Sequence, residues 1–323
     1  LLKIPSNILL RIDEFKCKDG PKLFQKIAKI KWSDYLMGKN FFVKSESISS
    51  RLFDDRKINK ATTDGINLFL DSNPIKKKFI ELHAKIVTPP EIYIRIENDH
   101  CLVSINTSGE LLYKRGNKSL TGNAPIRENL GAALFYLLKN KFNRQIENII
   151  DPMCGSGTLL KESSEFYHLT KSREFAFYHF PLYLNLKNKM ELIEKDVSAP
   201  LNVWGFDLDD SVIKQAISNC ANIKNSFFSK NDIFHPNDKI KKADLVLINP
   251  PYGIRVDSNQ EINSLFFTNI VKSVFMNFSP TLLGMIVPSE YQLNLPVGVR
   301  IVHKLKFKNG GINVTYYVLE SSK

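Results

Sequence analysis

The sequence has few cysteines and no long apolar run. Its four cysteines, Cys17, Cys101, Cys154 and Cys220, lie far apart and form no CxxC pair. This spacing favours buried, reduced thiols in a cytoplasm over a metal site or a disulfide framework. No apolar run approaches the roughly 18 residues that a membrane span requires. These absences predict a cytoplasmic protein that binds neither a metal nor a membrane.

The start of the chain also lacks the pattern of a signal peptide. Residues 1–5 contain no charged segment followed by a sustained apolar core. The first residue is Leu1 and not Met, so we expect further residues upstream.

The composition is that of a globular protein with an excess of positive charge. Hydrophobic residues make up 43% and charged residues 24% of the sequence, as in globular proteins. The length of 323 residues is sufficient for two or three domains with cores of their own. The net charge of +12 favours a polyanionic partner such as a nucleic acid. Lysine-rich usage can also reflect the base composition of a genome. The sequence leaves the oligomeric state open.

The first third of the chain alternates predicted strands and helices. The periodicity predicts helices over 23–30 and 58–70. Short alternating runs predict strands over 8–12, 41–45, 82–87, 91–96 and 101–105. We expect the chain to restart near residue 40, so that residues 1–40 and 41–108 are separate small α+β pieces. Arg51 and the run Lys76-Lys77-Lys78 are either RNA contacts or a solvated face.

A glycine loop follows the first buried strand of the second half. The strand Ile149-Ile150 leads into Asp151-Pro152-Met153-Cys154-Gly155-Ser156-Gly157-Thr158, and a helix is predicted from Leu159. Gly155 and Gly157 allow a ligand to approach the backbone, and the helix offers free N–H groups. The loop is neither a Walker A motif nor GxGxxG. A plain tight turn is the alternative.

Two further strands are predicted to end in acidic residues. The strand over 203–209 carries Asp207 at its tip, where a doubly wound sheet holds ribose hydroxyls. The alternative role for this acidic end is helix capping by Asp209 or Asp210. The strand over 226–234 carries Asp232 near its end.

Asn249-Pro250-Pro251-Tyr252 follows the most apolar strand of the second half, residues 243–248. The two prolines cannot continue a sheet ladder, so the strand must end there. An amide, a carbonyl stiffened by proline and an aromatic ring then stand together at a cleft mouth. This set suits a flat base with an exocyclic amino group. Asn249 and the Pro250 carbonyl can accept the two amino hydrogens while Tyr252 stacks on the ring.

The remaining segments of the second half have two interpretations each. The aromatic insertion at 165–202 is predicted to be a helix pair with its rings packed inward, with base stacking as the alternative. Residues 253–259 are a candidate lid in which Arg255 contacts a phosphate or is simply solvated. A helix over 266–278, a strand over 283–288 and a hairpin of 305–308 with 314–319 complete the chain.

The four strand ends, taken in this order, resemble those of Rossmann-like S-adenosylmethionine-dependent methyltransferases that modify amino groups. The resemblance implies an α/β fold with a mostly parallel sheet and an antiparallel last strand. It also implies that Asp207 holds the ribose and Asp232 the adenine amino group. The other implied cofactor-binding residues are Asp151, Gly155, Ser156 and Gly157 at the methionine moiety, Ile233 beside the adenine, and Asn249. Asn249, Pro250 and Tyr252 are the implied catalytic residues.

The first half and the connector 107–116, with the sequence TSGELLYKRG, resemble the THUMP domain and linker of bacterial RNA methyltransferases. The resemblance implies a ferredoxin-like part at 1–40, a THUMP-like RNA-binding domain at 41–108, a linker at 109–123 and a methyltransferase domain at 124–323. Together with DPMCGSGT and NPPYG, it implies a guanine-N2 methyltransferase of bacterial 23S rRNA. The alternatives are a tRNA guanine-N2 methyltransferase, a DNA adenine-N6 methyltransferase and a non-catalytic RNA-binding assembly factor.

Overall fold

The computed structural model describes residues 3–74, 88–115, 126–142, 145–166, 174–186, 201–235, 242–252 and 262–322. The chain divides into two compact units. The N-terminal unit contains Pro5–Lys114 and Lys171–Glu194, and the C-terminal unit contains Leu1–Ile4, Arg115–Thr170 and Lys195–Lys323. The predicted strand at 82–87, the run Lys76–Lys78 and the candidate lid at 253–259 lie outside the described residues.

The N-terminal unit is a four-stranded sheet with helices packed on one face. The sheet has the order β1-β4-β3-β2, in which only the β2–β3 pair is parallel. Its elements are β1 (Leu9–Lys16), α1 (Gly20–Ile27), β2 (Phe42–Ile48), α2 (Asp55–Ser72), β3 (Glu91–Glu97) and β4 (His100–Asn106). The predicted helix over 23–30 begins earlier, at Gly20, because Asp19 accepts a hydrogen bond from the Lys22 N–H and Pro21 stands in the first turn.

One core holds this unit together. The alternating side chains of β3 and β4 bury Ile92, Ile94 and Val103 against α1 and α2. Gly65 lets the two helices approach closely, because a Cβ there would lie 3.0 Å from the Phe24 carbonyl oxygen. Since β1 pairs with β4, the predicted pieces 1–40 and 41–108 contribute strands to a single sheet. Their assignment as ferredoxin-like and THUMP-like parts remains a prediction.

Residues 174–186 of the aromatic insertion belong to the N-terminal unit. This segment consists of a 3-10 turn (Ala176–His179) and a short helix (Pro181–Leu186). Phe180 is buried in the core of the N-terminal unit, and its ring meets that of Tyr35 edge to face at 6.1 Å. The predicted inward packing of the aromatics is confirmed for Phe180, whereas Tyr178 is exposed.

The C-terminal unit is built on a seven-stranded sheet with the order β10-β11-β9-β8-β5-β6-β7. The five strands from β9 to β7 are parallel to one another. The strand β11 pairs antiparallel with β9, and β10 pairs antiparallel with β11. These strands are β5 (Asn148–Asp151), β6 (Asn202–Asp207), β7 (Ser226–Lys230), β8 (Leu245–Ile248), β9 (Leu282–Pro288), β10 (Val299–Asn309) and β11 (Ile312–Ser321). The fold is Rossmann-like, with the predicted antiparallel last strand.

Apolar cores cover both faces of this sheet. Because successive side chains of a strand point to opposite faces, Leu245 and Leu247 of β8 enter one core while Val246 and Ile248 enter the other. The first core is shared with the helices Glu128–Phe142, Thr158–Ser164 and Asp210–Asn219, and the second with the helix Ser264–Phe278. None of the helices in the described ranges is long and apolar enough to cross a membrane.

Arg115 of the predicted linker is anchored inside the C-terminal unit. Its guanidinium donates hydrogen bonds of 3.1 and 2.9 Å to the Glu162 carboxylate and one of 2.7 Å to the Lys3 carbonyl oxygen. Both side chains of the ion pair are buried. Burial raises the pKa of Glu162, while the adjacent guanidinium opposes that rise. The pair ties Arg115 and the Lys3 backbone to the helix Thr158–Ser164 of this unit.

Candidate active site

The predicted site residues gather at the carboxyl ends of parallel strands. The strand order reverses between β5 and β8, so the loops after these two strands leave the sheet at a switch point where open α/β sheets bind ligands. Asp151 ends β5, and Asn249 directly follows β8. The pairing of Ile150 with Val246 makes the two strands neighbours.

The glycine loop, Asp151 to Thr158, has a backbone that only glycine adopts easily. Gly155 has a φ of 51° and Gly157 a φ of 81°, both left-handed. A Cβ at Gly155 would meet no atom within 4 Å, whereas one at Gly157 would lie 3.1 Å from the Cys220 sulfur. Gly157 is therefore needed for packing. Gly155 borders open space, which leaves room for a ligand against the backbone.

Asp207 ties the glycine loop to the end of β6. One carboxylate oxygen accepts the Gly155 N–H at 2.9 Å and the other accepts the Asp209 N–H at 3.1 Å. Asp209 itself caps the following helix by accepting the Ser211 N–H at 2.7 Å, which confirms that it is a helix cap. Each oxygen of Asp207 still has a second lone pair, so the carboxylate can accept ligand hydroxyls as well.

Asp151 is the most buried carboxyl of the site, with 1% of its surface exposed. It accepts the Met153 N–H at 3.1 Å. Burial raises the pKa of Asp151 well above its usual range, and the nearby negative charge of Asp207 raises it further. The raised pKa extends the pH range over which the neutral carboxyl persists, and the neutral form can donate a hydrogen bond as well as accept one.

Asp232 and Ile233 lie in a turn beyond β7. The predicted strand over 226–234 ends at Lys230, and Asp232 bridges instead to His235. The Asp232 carboxylate accepts the Phe234 N–H and meets His235 Nδ1, both at 2.9 Å. Ile233 is a buried core residue whose carbonyl accepts a hydrogen bond of 3.0 Å from Asn277. Its predicted place beside an adenine stays a prediction.

Asn249 and Tyr252 are joined directly. The Tyr252 hydroxyl donates to Asn249 Oδ1 at 2.6 Å, and Asn309 at the end of β10 donates to the same hydroxyl through Nδ2 at 3.3 Å. We call Asn249, Tyr252 and Asn309 the amide–tyrosine cluster. Burial raises the pKa of Tyr252 to about 12, so its hydroxyl keeps its proton at neutral pH. Pro250, which lies between Asn249 and Tyr252 in the sequence, is buried.

Asn309 is the residue that the sequence did not reveal. It is 57 residues away from Tyr252, and the sequence signal nearest to it was the predicted hairpin of 305–308 with 314–319, whose connection contains Asn309. In the described part of the chain, no group of three or more His, Cys, Asp or Glu side chains is placed to hold a metal ion.

Known proteins resemble this chain along nearly its whole length. The "Ribosomal RNA large subunit methyltransferase K/L" of Buchnera aphidicola subsp. Schizaphis graminum is 29% identical over 97% of this chain and 46% of the relative. The protein of the same name from Saccharophagus degradans is 25% identical over 98% of this chain and 44% of the relative. The chain therefore spans less than half the length of these curated relatives.

Solved structures share the fold. A possible methylase from Clostridium difficile 630 superposes with a TM-score of 0.73 at 22% identity, covering 98% of this chain and 84% of that one. SMU.472, a candidate methyltransferase complexed with SAH, gives 0.71 at 21% identity, covering 99% and 86%. A family described as "RMKL-like, methyltransferase domain" matches residues 115–317. This chain belongs to that family of methyltransferase domains.

Proposed function

We propose that this chain transfers a methyl group from S-adenosylmethionine to the exocyclic N2 amino group of a guanine in 23S ribosomal RNA. The observation that carries the proposal is the position of the amide–tyrosine cluster beside the glycine loop, at the switch point of a methyltransferase fold. One neighbouring strand end thus offers a place for the methyl donor, and the other offers acceptors for an amino group.

The glycine loop and the carboxylates fit the methyl donor. The open space at Gly155 can accommodate the methionine part of the donor against the loop 151–157, including Ser156. Asp207 has lone pairs left for the two ribose hydroxyls. Asp232 is proposed to accept a hydrogen of the adenine amino group, with Ile233 beside the ring. When bound, S-adenosylmethionine supplies an electrophilic methyl group on a positively charged sulfur.

The residues after β8 fit an amino nitrogen. An exocyclic amine has a delocalised lone pair and is a poor nucleophile. If Asn249 Oδ1 and the Pro250 carbonyl accept its two hydrogens, the nitrogen becomes more pyramidal and its lone pair is directed at the methyl group. Positioning and preorganised dipoles then supply the catalysis. As the nitrogen takes the methyl group, the bond between the methyl carbon and sulfur would break, and the nitrogen would afterwards release one proton to solvent, so no strong base is required.

The choice of RNA is supported by charge and by the named relatives. The net charge is +12, and Lys304, Lys306 and Lys308 stand on one face of the edge strand β10. All three lysines are exposed and none forms an ion pair with a carboxylate in the described ranges. The relatives are named as methyltransferases of the large-subunit ribosomal RNA. Guanine is proposed from the sequence resemblance, because adenine N6 and cytosine N4 would suit the same acceptors.

Incubation with labelled S-adenosylmethionine tests the proposal. Separate reactions contain 23S rRNA, total tRNA and DNA, and the products are digested and analysed as nucleosides by mass spectrometry. We expect N2-methylguanine in the rRNA reaction only, and a strongly reduced rate of labelling with Asn249→Ala. Label in tRNA, or as N6-methyladenine in DNA, would show that this nucleic acid is the substrate and that 23S rRNA is not. Absence of label in every nucleic acid would refute the catalytic role and leave a binding protein.

A further inference from the structure

The amide–tyrosine cluster is a directed chain of two hydrogen bonds. Asn309 Nδ2 donates to the Tyr252 hydroxyl oxygen at 3.3 Å, and that hydroxyl donates to Asn249 Oδ1 at 2.6 Å. An amide nitrogen can only donate, and a hydroxyl has a single hydrogen. The hydroxyl therefore accepts from Asn309 and has its hydrogen available for Asn249.

This direction decides which end of the Asn249 amide faces Tyr252. The two ends of an asparagine amide have nearly the same shape but opposite hydrogen-bonding character. With the hydroxyl hydrogen directed at it, Oδ1 is held in place and keeps a second lone pair for a further donor. If the Asn249 amide were turned by about 180°, its NH₂ group would face the Tyr252 hydroxyl oxygen.

The hairpin gives Asn309 a rigid base. Asn309 is the last residue of β10 and pairs with Ile312 across the two-residue turn Gly310-Gly311. Both glycines have positive φ angles, 58° and 90°, as a tight hairpin turn of this length requires. Phe307 packs against the core of the same unit and fixes the strand just before the turn. The donor is thus held by the fold and not by a loose loop.

We propose that Asn309 is a positioning residue for methyl transfer, which directs the Tyr252 hydroxyl toward Asn249 and so keeps the Asn249 oxygen facing the substrate amino group. The inference rests on the proposed function, because the orientation of Asn249 matters only if its oxygen accepts an amino hydrogen. Asn309 itself touches no reacting atom and acts through Tyr252.

Asn309→Asp is the sharpest test, since it retains the shape of the side chain but removes the N–H donor. The substituted carboxylate can only accept, so the hydroxyl would turn away from Asn249. We expect kcat to fall about tenfold, which corresponds to the loss of about one hydrogen bond. The KM for RNA and the Kd of S-adenosylmethionine should change less than about twofold. Asn309→Ala removes the N–H donor but adds no acceptor that would draw the hydroxyl hydrogen away from Asn249. It should therefore lower kcat less than Asn309→Asp does. A packing role would give the opposite ranking.

Asn313→Asp is the matched control, because it makes the same change at an exposed position of β11 in the same hairpin. It should leave kcat as in the parent. In a Tyr252→Phe background, which retains the ring but lacks the hydroxyl, Asn309→Asp should have no further effect. An unchanged kcat for Asn309→Asp, or an equal loss with and without the hydroxyl, would overturn the positioning role. Should Asn309→Asp not fold, Asn309→Ala is tested in the same two backgrounds.

A spectroscopic readout separates this inference from the proposed function. The side-chain amide signals of the protein are recorded by NMR with ¹⁵N labelling, and the signal lost in Asn309→Asp identifies Asn309. We expect this signal to shift in Tyr252→Phe, whereas that of Asn313 stays in place. If the parent methylates nothing but the shift is seen, the proposed function fails and the hydrogen-bond chain stands. If the Asn309 signal does not move, the chain is absent and the inference is overturned.

Discussion

The two strand ends on either side of the switch point are held in different ways. The glycine loop after β5 is shaped by its own backbone, with left-handed Gly155 and Gly157 and an N–H bond to Asp207. The residues after β8 are held by side chains, because Tyr252 joins Asn249 to Asn309 of a distant hairpin. The first arrangement rests on the loop's backbone conformation and on a bond to the neighbouring parallel strand β6, whereas the second depends on the position of β10.

This difference suggests a division of labour at the site. A cofactor that is the same in every turnover suits a backbone cradle that needs little adjustment. In the proposed reaction, a base that enters from a nucleic acid would require acceptors in one orientation, which the hydrogen-bond chain between side chains would supply. Variants on the two sides should therefore fail differently, in donor binding on one side and in the chemical step on the other.

Asn249→Ala should have the largest effect. Removing the amide takes away an acceptor that matters most in the transition state, so the methyl-transfer rate should fall by about 10²–10³-fold. Donor affinity, measured by calorimetric titration, should fall only modestly. The exposed Asn313→Ala serves as control. Equal rates in variant and parent would show that the tetrapeptide is only a turn, and the contrast between the two strand ends would disappear.

Asp207→Ala changes the other strand end and should weaken the binding of the methyl donor. The carboxylate is proposed to accept the ribose hydroxyls and also holds the Gly155 N–H, so its loss should raise the donor Kd about 10- to 100-fold. Asp210→Ala removes an exposed carboxylate from the next helix and should leave the Kd unchanged. Calorimetry that finds an unaltered affinity for Asp207→Ala would contradict the ribose assignment.

Alanine substitutions at the two glycines of the loop should differ in how much they lower the free energy of unfolding. An alanine at either position is strained by about 1–2 kcal/mol because of the left-handed backbone. Gly157→Ala also forces a Cβ to within 3.1 Å of the Cys220 sulfur, while Gly155→Ala meets nothing. Urea unfolding should show a larger loss of stability for Gly157→Ala. For Gly155→Ala, donor binding should suffer more than stability. The reverse pattern would mean that Gly155 does not border a ligand.

Asp151→Asn should have the smallest effect, on stability and its pH dependence. Because folding raises the pKa of Asp151, the folded protein retains a proton that the unfolded chain releases. The free energy of unfolding should thus fall as pH rises above about 4, and the asparagine variant should lose this slope. At neutral pH, thermal unfolding should show a Tm about 2–4 °C higher than in the parent. A lower Tm there would show that the ionised carboxylate is stabilising.

The sequence alone predicted much of the C-terminal unit because its signals are local. The apolar run before Asn249 can only be a buried strand, and the prolines after it end the strand wherever the chain lies in space. Glycines and acids at the other strand ends identified the glycine loop and Asp207. The strand over 226–234 was predicted too long, since nothing in its composition marks the turn in which Asp232 bonds to His235.

What only the tertiary structure decided are the contacts between distant segments. Pairing of β1 with β4 places the first strand in the same sheet as residues 42–48, and the aromatic rings near Phe180 pack in the N-terminal unit. The bond from Asn309 to Tyr252, which leads on to Asn249, likewise joins residues that are 57 positions apart. Backbone conformation follows from neighbouring residues and can be predicted from the sequence. Side-chain hydrogen bonds between remote strands follow from how the strands are arranged, which no local pattern encodes.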